Sequence, residues 1–216
     1  VAPLSPRVKI SAPVRERRSH AERTAETRER VMAAVVETIS EVGFNRATAA
    51  EISRRAGVTW GAVQHHFGDK DGILMAVLEE SFHRFAEILG EVSQAEALQA
   101  EDLEKRVAMF VERSWIHFSS PHYRTTFEIL LNLPDEIELP WQREMLREWH
   151  RIWSGYFPES NPSNQATIEV MLYAVSVLTG LATTQMLEAK PVRTRERELG
   201  FLKETLVKQI ERQLAS

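Results

Sequence analysis

At 216 residues the chain has room for one large or two small domains and a substantial core. It has no cysteine, which excludes a disulfide framework, a thiolate zinc site and a thiol nucleophile, and makes a reducing cytoplasm the expected compartment. The formal net charge of −4 hides an asymmetry: residues 1–70 hold 12 Lys and Arg against 8 Asp and Glu, residues 71–216 hold 15 against 23, and a basic front on an acidic body suits an end that meets phosphate.

In chain order, residues 1–20 contain three prolines and several arginines without apolar periodicity, and are expected to form a disordered basic arm of the kind that reaches into a minor groove. No basic-then-apolar leader pattern opens the sequence. A first helix should begin by Glu22 to Thr27 and run to about Val42, because Val31, Ala34, Val35, Thr38, Ile39 and Val42 recur at steps of three and four. Thr48 and Glu51 have the spacing of a capping box, so a second helix starts at Ala49, with Ile52 and Ala56 on one face and Gly57 free to take the left-handed turn that ends it. Thr59 caps a third, short helix whose Val63 and Phe67 face inward with Val58. The opposite face carries Trp60, Gly61, Gln64 and His65, with His66 and Lys70 near its far end. Two short helices at an angle make a helix-turn-helix, whose second member enters the DNA major groove. Gln pairs with adenine edges, His and Lys bind phosphate, and Gly admits close backbone approach.

Beyond Lys70 no period-two pattern appears. Asp69 caps a long fourth helix with Ile73, Leu74, Val77, Leu78, Phe82, Phe85, Ile88 and Leu89 along one stripe, and further helices are predicted over 103–119, 123–133, 140–157, 163–188 and 195–214. The prediction is an all-α fold of nine helices. The run 170–187 is nearly long enough to span a bilayer, but Ser176, Thr179, Thr183, Thr184 and Gln185 within it point to a buried helix. Met109, Phe110, Trp115, Phe118, Phe127, Trp149, Trp153 and Tyr173 form an aromatic load that predicts a pocket for a small apolar or amphipathic molecule, with His117, Thr126, Asn132 and Gln185 as its polar groups. The plainer alternative is that these rings fill the core. No nucleophile elbow, phosphate loop or His-Glu-x-x-His pair is present, so no enzyme, cofactor or metal is expected. His65 and Asp69 have helical ligand spacing, yet adjacent histidines diverge by about 100° on a helix.

On Gly43-Phe44, Thr48, the helix from Glu51 to Ala56, Gly57-Val58-Thr59, His65-His66-Phe67 and Asp69-Lys70, the segment 21–78 resembles the DNA-binding domain of the TetR family of bacterial repressors. The resemblance implies that Thr48 and Thr59 touch the DNA backbone, that Trp60, Gly61 and Gln64 sit at base edges or phosphates, and that His66 and Lys70 hold phosphates. Family members usually carry an aromatic residue in place of Gln64 and a small or basic one in place of Trp60, so the operator sequence is expected to differ. The resemblance also implies a homodimer on a pseudo-palindromic duplex, joined through the last two helices, for which Met171, Val175, Leu178, Ala182, Leu206 and Ile210 are the candidates. The expected division is an arm (1–20), a helix-turn-helix DNA-binding domain (21–70) and a ligand-binding and dimerisation domain (71–216), together a ligand-released repressor with no membrane partner. The alternative is a helical small-molecule-binding protein or enzyme whose helix-turn-helix no longer binds DNA.

Overall fold

Helix caps written into the sequence set most of the element boundaries. In the computed structural model, residues 20–93, 98, 101–133, 142–160, 164–188 and 195–215 are described, and the arm lies outside them apart from His20. The helices are α1 (His20–Val42), α2 (Ala49–Ala56), α3 (Trp60–Phe67), α4 (Lys70–Ser93), α5 (Leu103–Phe118), α6 (Pro121–Asn132), α7 (Gln142–Tyr156), α8 (Gln165–Leu187) and α9 (Glu196–Leu214), with a 3-10 turn at Phe44–Arg46. Among the described residues there are nine α-helices and no strand, as the periodicity predicts. Asp102, Ser120 and Asn164 cap α5, α6 and α8 by accepting backbone N–H bonds from Lys105, Tyr123 and Ala166. Ser120-Pro121 therefore opens α6 as well as closing α5. Proline is preorganised for a helix's first turn, where its missing N–H leaves no bond unmade.

Two apolar cores divide the chain, and α4 belongs to both. Ile73, Leu74, Val77 and Leu78 pack with Val31, Val35 and Ile39 of α1, Ile52 of α2 and Val63 of α3. Phe85, Ala86 and Leu89 pack in the body with α5, α7, α8 and α9. Packing thus changes cores part-way along α4 rather than at Lys70. Helix α6 crosses the same divide: its Ile129 is fully buried in the first core, and Thr125 Oγ1 lies 3.4 Å from the Val36 carbonyl of α1.

The expected pocket residues separate into three groups. Phe110, Phe118 and Trp153 are buried, with Phe110 edge-on to Trp153 at 5.5 Å, Tyr156 at 5.4 Å and Phe157 at 5.8 Å. These rings fill the core, because edge-to-face contact satisfies their quadrupoles as well as their area. Met109, Trp115, Phe127 and Trp149 are half-buried against it. Tyr173 stands apart, exposed on α8.

The expected dimer face is also turned. Met171, Leu178, Ala182, Leu206 and Ile210 are buried in their own chain, and Val175 packs half-buried against the same core. The outward apolar residues are instead Leu172, Tyr173 and Leu187 of α8 and Phe201 of α9, which are 56%, 43%, 82% and 61% exposed. Nor is α8 the buried helix its polar residues suggest. It is long and apolar enough to cross a bilayer, and only 33% of its apolar window is buried in the chain.

His117 lies between Phe85 and Tyr123, with ring centroids at 4.7 and 5.4 Å, and burial pushes its pKa down to about 4. The folded state therefore favours neutral imidazole, while the unfolded chain takes up a proton near 6.5. Stability should be undiminished above about pH 6.5 and fall by up to about 1.4 kcal/mol per unit as pH drops towards 4. Urea unfolding at a series of pH values is expected to show this slope flattened in His117→Phe. An unaltered slope would remove His117 as its source.

Candidate nucleic-acid interface

The helix-turn-helix is built from local bonds that its residue types dictate. The Thr48 hydroxyl accepts the Glu51 N–H at 3.3 Å and the Thr59 hydroxyl accepts the Ala62 N–H at 3.2 Å. Each hydroxyl keeps its own proton to donate outward, which suits a threonine at a phosphate. The capping box at Thr48 is only half built. The Thr48 N–H donates to the Arg46 carbonyl at 2.9 Å, and the Glu51 carboxylate turns to Arg54 and Arg55, each with Nε within 2.9 Å. Hydrogen bonds from these two guanidiniums hold the Glu51 carboxyl down to about 2. Arg55 reaches on to Glu41 of α1 at 2.6 Å, so α2 is tied to α1 by charge as well as by Ile52. At the turn, Gly57 has φ of +63°, and the Val58 N–H bonds the Ser53 carbonyl at 3.1 Å, which closes the helix in a left-handed cap.

Two arginines of α1 fix the angle between α2 and α3. Arg30 donates from Nε to the Ala56 carbonyl at 3.0 Å and from Nη2 to the Gly57 carbonyl at 2.9 Å. Arg28 donates to the His66 carbonyl at 3.1 Å, and its guanidinium lies 4.6 Å from the centroid of Phe67. Each cation thus meets the C-terminal carbonyls of one helix, where unsatisfied acceptors and the helix dipole favour positive charge. From α4, Asp69 caps its own helix through the Gly72 N–H at 2.8 Å, and Gly72 lies so close to α3 that a Cβ there would come within 1.9 Å of the Phe67 carbonyl oxygen. No local pattern in the sequence signals these contacts, because each joins residues of different helices.

Held in this way, α3 turns Gly61, Gln64 and His65 outward, flanked by the exposed Thr48 and Thr59. His66 is half-buried at the end of the helix, its ring 5.2 Å from that of His65. Trp60 is less free than expected, being half-buried against the domain core. Lys70 is half-buried with its Nζ 4.8 Å from the Phe44 ring centroid, so the cation rests on an aromatic face beside α3. Among the described residues no cluster of three or more His, Cys, Asp or Glu could hold a metal. Gly61 is informative because nothing among the described residues demands it. A Cβ added there would meet no atom nearer than 4.0 Å, and its φ is not positive. Glycine in a helix loses stability relative to alanine, so the packing described here gives glycine no advantage at this position.

The pattern of bacterial regulatory proteins of the tetR family matches residues 31–77, the span of these helices. The HTH-type transcriptional regulator BetI of Escherichia coli (strain K12 / DH10B) is 32% identical over 144 residues, an alignment covering 56% of this chain and 73% of that protein. The chain belongs to the TetR family. BetI of Stenotrophomonas maltophilia (strain R551-3) is 42% identical over 60 residues, covering 28% of this chain and 31% of that protein, so this match spans under a third of the relative's length. The same architecture occurs in the transcriptional regulator FadR from Bacillus subtilis in complex with stearoyl-CoA, with a TM-score of 0.60 at 17% identity over 84% of this chain and 96% of that one.

For this TetR-family chain, Gly61→Ala should move two measurements in opposite directions. The free protein should be more stable by up to about 1 kcal/mol in urea unfolding. Operator affinity should fall, because the new methyl occupies the contact surface. A variant that is stabilised and binds DNA unchanged would show that nothing approaches Gly61.

Proposed function

We propose that the protein is a DNA-binding transcriptional repressor that acts as a homodimer and leaves its operator when a small apolar or amphipathic molecule binds its body. The observation that carries this reading is α3 itself. It is a helix capped by Thr59 and held at its C-terminal end by Arg28, with Gly61, Gln64 and His65 outward and, among the described residues, no packing reason for the glycine. In the proposed complex Thr48 and Thr59 donate to phosphates, Gln64 reads a base edge, and His66 and Lys70 add charge beside the backbone. Lys70→Ala should weaken binding to all duplexes alike and lower the salt slope by about one unit, whereas Gln64→Ala should cost roughly 1–3 kcal/mol on the cognate site alone. Anisotropy titrations of cognate and scrambled duplexes at several salt concentrations test both. Equal losses on the two duplexes for Gln64→Ala would rule out base reading.

The dimer uses the outward faces of α8 and α9. Leu172, Ser176, Gly180 and Thr184 follow one another at four-residue steps with Leu187 beyond them, and nothing among the described residues lies within 4 Å of a Cβ added at Gly180. That stripe offers apolar surface with room for close helix approach, and a second copy placing recognition helices roughly 34–36 Å apart would cover it. Sedimentation should find Leu172→Arg monomeric and folded, while Leu178→Arg, with its side chain in the chain's own core, should unfold. A dimer that survives Leu172→Arg would move the interface elsewhere.

The ligand enters the body beside the half-buried Met109, Trp115, Phe127 and Trp149, with His117 and Thr126 as buried polar partners. Trp149 touches Phe85 of α4 at 4.7 Å, which connects this region to the helix shared with the DNA-binding core. Asn132 is exposed and donates to the Glu128 carbonyl, and so leaves the set of orienting groups.

A further inference from the structure

A cleft of about 750 Å³ lies on the outward side of α1, between that helix, α4 and the first turn of α6. Its apolar floor is made by Ala25, Met32, Ala33 and Val36 of α1, of which Met32 and Val36 also border the domain core half-buried while Ala25 and Ala33 are exposed. From Ala25 to Ser40 this stretch is about 22 Å long at the rise of an α-helix. The cleft shares no residue with the aromatic group of the body.

Three carboxylates, Glu29, Glu37 and Glu80, and two guanidiniums, Arg28 and Arg84, border it. Glu80 pairs with Arg84 at 2.9 Å, Glu37 shares Arg55 at 3.6 Å with the nearer Glu41 and Glu51, and Glu29 sits exposed at the edge. Arg28 also borders the cleft, and among the described residues it meets only the His66 carbonyl and the Phe67 ring, with no carboxylate to neutralise it. On the far wall burial lowers the pKa of His122, which favours its neutral form.

We propose that this cleft is an effector site for an elongated amphipathic monocarboxylate, whose chain lies along the α1 floor and whose carboxylate takes Arg28. A carboxylate binds a guanidinium more strongly than a neutral carbonyl does. The ligand therefore draws Arg28 away from the His66 carbonyl, and α3 loses the tether at its C-terminal end. The regulatory half of this proposal rests on the reading of α3 as the DNA-contacting helix; the binding half does not.

Decanoate, kept below its micellar concentration, is the probe. Calorimetric titration of the full chain should show saturable binding, abolished by Ala33→Trp, whose indole fills the floor, and weakened roughly 10- to 100-fold by Arg28→Ala. Ala25→Glu, at an exposed position, is a second variant that should repel the carboxylate if Ala33→Trp fails to fold. Operator affinity should fall 5- to 150-fold with decanoate in the unsubstituted chain and stay unchanged in Ala33→Trp. Decyltrimethylammonium, equal in length and opposite in charge, should bind more weakly. The site is overturned if decanoate binds Ala33→Trp or Ala25→Glu as well as the parent, if no saturable binding occurs, or if the ammonium binds more tightly. Calorimetry needs no DNA, so cleft-dependent decanoate binding by a chain that binds no duplex would support the site and sink the function proposed above.

Discussion

Everything in the molecule depends on one helix being packed rigidly at both ends. Helix α4 has 24 residues, about 36 Å of backbone, with its first turns in the core of the helix-turn-helix and its later turns in the core of the body. Protein interiors are packed like crystals, so neither end can shift without its neighbours shifting too. Phe85, where His117, Phe118 and Trp149 all touch one ring, thus lies on the same helix as Ile73 and the junction at Gly72. Helix α6 supplies a second connection through Ile129, so the two cores are joined at two points and a tilt of α4 has a fulcrum.

Electrostatics enters on top of this packing and mainly sets angles. Arg28 and Arg30 of α1 do little for burial, yet each takes the carbonyl end of one helix of the motif. The network of Arg55 with Glu41 and Glu51 fixes α2 against the same helix. Helix α1 thus works as a bracket: its inner stripe supplies area and its flanking arginines supply orientation. The basic excess of the first 70 residues is partly spent inside the domain, which leaves the outer face of α3 with hydroxyl, amide and imidazole groups rather than a dense row of lysines.

What was readable in the sequence was local. Thr48, Gly57 and Thr59 act within a few residues of themselves, so caps and turn could be assigned without knowing what lay across the core. Clear apolar periodicity placed Val31, Val35, Ile52 and Val63 inside for the same reason. The faces of α8 were not readable, because a helix apolar on nearly all sides has no moment to tell its own core from a partner's. Met171 and Leu172 differ in sequence position by one and in environment completely. The aromatic set failed similarly: composition counts rings but cannot say whether Phe110 and Trp153 meet each other or a ligand. Arg28 and Gly72 were invisible because their roles exist only across long sequence separations or between helix ends.

Gly72 also has a meaning in genetic terms. Every single-base change in a glycine codon that yields another amino acid adds a β-carbon, and here the first atom met is a backbone oxygen that no rotamer can move aside. The position tolerates no graded substitution: either α3 and α4 keep their close approach or they part. Helical neighbours such as Asp71, exposed on the same turn, carry no such constraint. The junction between reading head and body is therefore held by the one residue type that cannot drift, and a lineage that replaced it would have to reset the angle of its recognition helix in the same step.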